Sequence, residues 1–252
     1  MQKKYIVIIS ILLIYMLITL LIFGGDKNPI SNGTYIVIDN NTRWKYEDDK
    51  WDNLDIQDGI FDGTEFIVYK NQVYQGKYYL QNYNDTWYFF DKNNQSYDLD
   101  GQLFAYSSED EIHVIEFEVE EIDLDELNNL LKKYDIVISN KSELSYAQKV
   151  SLDFDNDEKD EYIYSISNLM AENIQNDEFS LLLYVDENKT SEIINDISDP
   201  SFIYSISNII DVNDDQKYEL VIEHQKPMNV SMNCHSMYQL KKGKYELLKS
   251  CK

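Results

Sequence analysis

The chain has little glycine, proline, histidine and cysteine: 8, 3, 3 and 2 residues of its 252. With glycine and proline so scarce, turns fall to asparagine and aspartate, whose short polar side chains tolerate the left-handed backbone region. Motifs that carry chemistry are missing too. There is no G-x-S-x-G, H-E-x-x-H, Walker A or G-x-G-x-x-G pattern. Nothing nominates a nucleophile, and the three histidines, His113, His224 and His235, stand in no catalytic spacing. Carboxylates for glycoside hydrolysis are so abundant that any chosen pair is arbitrary, so an enzyme is the minority reading. The two cysteines, Cys234 and Cys251, lack C-x-x-C spacing. An even count outside a reducing compartment favours a disulfide that staples the chain end, over a redox or metal pair.

Positive charge is also scarce. Lys and Arg total 22 against 46 Asp and Glu, a formal net charge of −24. Lys3 and Lys4 are the only charges before Asp26, so the rest carries −26 (−24 minus +2). Such a polyanion is repelled by nucleic-acid phosphates, which excludes nucleic acid as a partner. After the two lysines comes an apolar run from Tyr5 to Phe23. At about 1.5 Å per residue it is long enough to cross a hydrocarbon core of roughly 30 Å. No A-x-A-like cleavage site follows, so residues 1–25 read as an uncleaved signal anchor. The positive-inside rule then puts everything after Gly24 outside the cell.

One short acidic pattern occurs twice. Asp153-Phe154-Asp155-Asn156-Asp157-Glu158-Lys159-Asp160-Glu161 and Asp211-Val212-Asn213-Asp214-Asp215-Gln216-Lys217-Tyr218-Glu219 carry an oxygen ligand at the same five positions, 1, 3, 5, 7 and 9. They lie 58 residues apart (211 minus 153). Alternating Asp and Asn turn several oxygens into one tight loop, the ligand type and number that Ca²⁺ takes and Zn²⁺ does not. Position 12 is Tyr164 or Ile222, neither able to supply the carboxylate that an EF-hand needs there. Each loop instead opens a β-branched and aromatic run, Tyr162–Ile166 or Leu220–His224, which reads as a strand. In loop plus strand, residues 145–252 resemble the FG-GAP and VCBS-type calcium repeats of extracellular β-propeller proteins. The resemblance implies ligands at Asp153, Asp155, Asp157 and Glu161, and at Asp211, Asn213, Asp215 and Glu219, with the Lys159 and Lys217 carbonyls completing them. Two departures stand out. The FG-GAP name motif is absent, and Glu158 and Gln216 occupy position 6, where the family has Gly for a sharp turn. The plain alternative for both loops is a solvated acidic turn.

The region between is a series of short strands and Asn/Asp-rich turns: Thr34–Ile38, Arg43–Tyr46, Phe66–Tyr69, Gly76–Leu80, Trp87–Phe90, Gln102–Tyr106 and Ile112–Glu120. Asp100-Gly101 is a hairpin signal. In the last strand Ile115, Phe117 and Val119 alternate with glutamates, predicting one buried and one wet face. Trp44, Trp51, Tyr78, Tyr79, Trp87, Tyr88, Phe89 and Phe90 read as core, with a carbohydrate-stacking platform as the alternative. One helix follows: Asp123 caps it, Glu126 completes a capping box, and Leu124, Leu127, Leu131 and Tyr134 form its apolar stripe. Further strands are expected at Asp135–Ile138, Gln148–Leu152, Glu161–Ser167, Phe179–Val185, Ile193–Ile197, Phe202–Ile210, Met237–Leu240 and Tyr245–Leu248. Asn-x-Ser/Thr sequons at Asn32, Asn84, Asn140, Asn188 and Asn229 read as turn composition rather than glycosylation sites.

The expected protein is therefore mainly β: an anchor (1–25), a hairpin-rich antiparallel region (26–121), and one amphipathic helix followed by two tandem blade-like calcium repeats (122–252). Two repeats are too few to close a propeller, so paired sheets are expected. The expected function is a membrane-anchored extracellular binding module with structural Ca²⁺ and a protein or glycan partner. A surface polysaccharide hydrolase and a calcium-sensing assembly subunit are the competing readings.

Overall fold

The computed structural model describes residues 33–39, 42–54, 63–83, 86–96, 103–107, 112–172, 177–187, 189–197, 200–229 and 232–251. The expected anchor, residues 1–25, lies outside them, and among the described residues no helix is long and apolar enough to cross a membrane. The fold is mainly β and antiparallel. Among the described residues it consists of three open sheets, one short α-helix and two single 3₁₀ turns.

The first sheet holds β1 (Thr34–Ile38), β2 (Thr42–Glu47), β3 (Lys50–Asn53), β4 (Glu65–Lys70), β5 (Val73–Tyr83), β6 (Thr86–Phe90) and β7 (Leu103–Ser107), in the order β3-β2-β1-β7-β4-β5-β6. Its two-residue hairpin turns do use polar residues in place of glycine. Asp48 and Asp49 have φ of 52° and 61°, and Asn71 and Gln72 have φ of 49° and 67°. Two successive positive φ values give the twist that a tight hairpin needs. Asp100-Gly101 lies outside the described residues, and the strands flanking it, β6 and β7, are not neighbours. Alternation along β1 and β7 sends Ile36, Ile38, Phe104 and Tyr106 to one core and Val37, Leu103 and Ala105 to another. Trp44, Trp51 and Phe89 are buried in these cores, which removes them from any sugar-stacking surface.

The expected strand Ile112–Glu120 shortens to β8 (His113–Ile115), which leaves the first sheet and pairs with a strand of the third. Past it the chain is extended without a full partner, and Val119 is exposed rather than buried. Helix α1 (Leu124–Leu131) is capped at Asp123, whose carboxylate accepts from the Glu126 N–H (2.8 Å). The reciprocal half of the capping box is not made. Glu126 instead accepts from the Tyr164 hydroxyl (2.6 Å) and pairs with Lys149 (3.0 Å). Asp135–Ile138 is not a strand. Asp135 turns left-handed at φ 59°, and Asn128 of the helix holds the Ile138 backbone through both its N–H (2.8 Å) and its carbonyl (2.9 Å). Those bonds take the place of a sheet ladder and bury Ile136 and Ile138 under the helix.

The second sheet is an up-and-down meander of β9 (Tyr146–Leu152), β10 (Glu161–Ser167), β11 (Ser180–Asp186) and β12 (Lys189–Asp196). The third repeats that plan with β13 (Ile203–Asp211), β14 (Glu219–Gln225), β15 (Cys234–Leu240) and β16 (Tyr245–Lys249), and adds β8 outside β13. In each meander the acidic loop joins the first strand to the second. The layers stack as helix, second sheet, third sheet, first sheet, with a core at each junction. The third sheet is thus covered on both faces, which explains why β13 is buried from Tyr204 to Asp211. A strand wet on one face would alternate instead. Cys234 and Cys251 form a disulfide, with Cα atoms 5.4 Å apart, closing the end of β16 onto the start of β15.

Candidate metal centre

Each loop takes its shape from the same set of hydrogen bonds. The position 1 carboxylate reaches across the loop: Asp153 accepts from the N–H groups of Asp157 (3.0 Å) and Glu158 (2.9 Å). Asp211 does the same for Asp215 (3.2 Å) and Gln216 (3.0 Å). The position 5 carboxylate accepts from position 7, Asp157 from Lys159 (3.0 Å) and Asp215 from Lys217 (2.9 Å). The position 9 glutamate opens the following strand and folds back onto the N–H of position 2, at 2.8 Å for Glu161 on Phe154 and 3.1 Å for Glu219 on Val212. Acidic side chains therefore organise the backbone before any ion is considered.

Position 6 turns as the loop pattern requires. Glu158 sits at φ 71° and Gln216 at φ 64°, and position 4 is also left-handed, Asn156 at 60° and Asp214 at 54°. The region costs an ordinary L-residue roughly 1–2 kcal/mol, so the strain falls on Glu158 and Gln216, while Asn156 and Asp214 tolerate it.

The first loop gathers its carboxylates. Asp153, Asp155, Asp157 and Glu161 each offer an oxygen within 4.8 Å of the others, a group that could hold a metal ion. Among the described residues it is the one set of three or more acidic or metal-ligating side chains drawn together to that degree. Glu161 is only 3% exposed. Burial, with Asp155, Asp157 and Asp153 adding like charge, pushes its carboxyl up to about 7. The Asp155 carboxyl is raised for the same reasons, and its Oδ1 is shielded from solvent without a hydrogen-bond partner. One ammonium pairs with the group at its edge: Lys159 Nζ lies 2.7 Å from Glu187, outside it, and 3.7 Å from Asp157. A buried glutamate crowded by three further carboxylates, with an orphaned oxygen among them and one exposed lysine shared with Glu187, is what a hard cation would resolve.

The second loop is the same frame in a more buried setting. Asp211 is 3% and Glu219 5% exposed, and burial pushes the Glu219 carboxyl up to about 8. Asn213 and Asp215 are half-buried. Its oxygens belong to three carboxylates and one amide rather than four carboxylates.

Sequence reasoning passed over what anchors these loops. Position 2 is apolar in both copies, and Phe154 and Val212 are buried, 0% and 3% exposed. Phe154 meets Tyr184 (6.3 Å, 82°) and Tyr245 (6.3 Å, 88°) edge to face. The signal was available, as a hydrophobic residue at the same place in two otherwise polar loops. The contact between the loops was not legible, since it depends on how the sheets stack. No protein family, curated protein or solved structure matches the chain. Fold and site define an antiparallel β protein whose first acidic loop gathers four carboxylates into one group.

Proposed function

We propose that this is a membrane-anchored, outward-facing β protein whose two acidic loops bind structural Ca²⁺ and so stabilise a surface for a protein or glycan partner. The observation that carries this reading is the first loop, where a 97%-buried glutamate and an unpartnered Asp155 oxygen share one space with two more carboxylates. All-oxygen ligands from an irregular loop favour Ca²⁺ over Mg²⁺, which demands octahedral geometry, and over Zn²⁺. Successive meanders, each with its loop between first and second strands, support the likeness to propeller blades. The run Tyr5–Phe23 supplies the anchor, with the residues after Gly24 on the outer side. The ions are structural in this reading, because the loops feed directly into the cores through Phe154 and Val212.

The test is thermal unfolding of the full-length chain in detergent micelles, with Ca²⁺ and with chelator, beside an Asp155→Asn variant. Asp155 Oδ1 holds no part of the protein, so the substitution removes ligand charge without breaking the loop. Ca²⁺ at 100 times its dissociation constant adds about 2.7 kcal/mol per site. The wild-type midpoint is expected to rise with Ca²⁺, and that of the variant to rise less. A midpoint indifferent to Ca²⁺ in both proteins would reduce the loops to acidic turns.

A further inference from the structure

The two loops touch. Asn156 Nδ2 of the first donates to Gln216 Oε1 of the second at 2.8 Å. On the buried side the Tyr218 N–H donates to the Phe154 carbonyl at 3.2 Å. These contacts sit next to ligands. The Phe154 N–H is held by Glu161 and Tyr218 directly precedes Glu219, so a run of adjacent peptide groups joins the position 9 carboxylates of the two loops. Tyr245 secures the junction, with its hydroxyl on the Tyr218 carbonyl (3.0 Å) and its ring against Phe154. Asn156 and Gln216 are themselves two of the left-handed residues, so the side-chain bond joins the strained turns of both loops.

We propose that the loops are a coupled pair, in which a divalent cation in either one raises the affinity of the other. The proposal rests on the calcium reading above. An ion drawing Asp153, Asp155, Asp157 and Glu161 inward fixes the Phe154 peptide and the Asn156 turn. That fixes Tyr218 and Gln216, so the second loop has less ordering left to do when its ion arrives. By linkage the effect is reciprocal. With four carboxylates against three, the first loop fills first. Repulsion between the two ions opposes the coupling and is screened by salt, so the cooperative factor grows with ionic strength.

The experiment is calorimetric titration of the full-length chain with Ca²⁺ alone at about 0.15 M salt, where the Debye length is about 8 Å. Asp157→Ala and Asp215→Ala each disable one loop and give the isolated constant of the other. The product of the two wild-type association constants is expected to exceed the product of the isolated constants about fivefold or more, the lower end of ordinary coupling. Asn156→Gly, which keeps the left-handed turn and removes the bridging amide, is expected to reduce that factor while leaving two ions bound. Two ions bound with a factor near one overturns the coupling and leaves the calcium reading standing. Failure of the wild type to bind any ion overturns both.

Discussion

At the scale of single residues, the chain uses glutamate and glutamine where a left-handed turn favours glycine. Glu158→Gly and Gln216→Gly should each relieve about 1–2 kcal/mol of backbone strain, offset by the greater freedom glycine regains on unfolding. A net gain of about 0.5–1 kcal/mol per site is expected, read as a higher urea midpoint at unchanged slope. An unchanged or lower midpoint would show that neither residue is strained at φ 71° and 64°. His224 contributes one part of the pH dependence, opposite in sign to that of the raised Glu161 and Glu219 carboxyls. It lies edge-on to Tyr204 (5.0 Å) and Phe202 (5.8 Å), with Nε2 2.6 Å from Ser236 Oγ, and burial holds its pKa down at about 4. At this residue the folded form therefore binds fewer protons than the unfolded chain between pH 6.5 and 4. Stability from this residue is complete above 6.5 and is lost as pH falls towards 4, by roughly 3 kcal/mol at 1.36 kcal/mol per unit. His224→Gln keeps a polar partner for Ser236 and cannot titrate. The wild-type-minus-variant stability should fall across that window, and a flat difference would show that His224 accepts a proton freely in the fold.

At the scale of elements, the final hairpin joins local and covalent control. Lys241 and Lys244 exchange backbone bonds (2.7 and 3.2 Å) around Lys242 and Gly243, at φ 54° and 70°, and the disulfide closes the open end across a separation of 17 residues. Cross-linking a loop of this size is worth about 3 kcal/mol in the unfolded-state entropy model. Replacing both cysteines by serine should lower the unfolding free energy by that order, and a loss well under 1 kcal/mol would mean that the strand pairing alone fixes the end. This hairpin was legible in the sequence because its signals are local. So were β1, β10 and the Asp123 cap. The strand expected at Asp135–Ile138 was lost locally, to Asn128 ten residues away; elsewhere a local pattern was overruled by a distant partner. Val119 sits in a run that alternates like a strand, yet only His113–Ile115 forms a ladder, with β13 some 95 residues on, and Glu120 makes a lone bridge to Lys149. Glu126 has the spacing of a capping box but is claimed by Tyr164 and Lys149. Loop chemistry could be read residue by residue; the bond between Asn156 and Gln216 could not, because it exists only once two sheets are stacked.

For the whole molecule, the decisive feature is that residue 121 does not separate two cores. β8 lies before it and extends the third sheet after it, and Ile36, Trp44, Trp51, Phe104 and Tyr106 share a core with Ile210, Val212, Val221 and Met237. His235, 3% exposed on β15, has Nδ1 3.0 Å from Thr42 Oγ1 and Nε2 3.6 Å from Asp39 across that junction. Since Val212 is also position 2 of the second loop, the first sheet supports that acidic loop from behind. A piece comprising residues 122–252 would uncover one whole face of β13–β15, unpair the Ile209–Asp211 edge and strand a buried histidine. Each large apolar side chain exposed forfeits about 1.5–3 kcal/mol, and four of them exceed much of the 5–15 kcal/mol that holds a domain together. The piece should therefore show no cooperative unfolding transition and, on the proposed calcium binding, a weaker affinity for Ca²⁺ at the second loop than the full chain. A sharp transition near the wild-type midpoint would instead make 122–252 an independent domain, with the first sheet an accessory docked on its back.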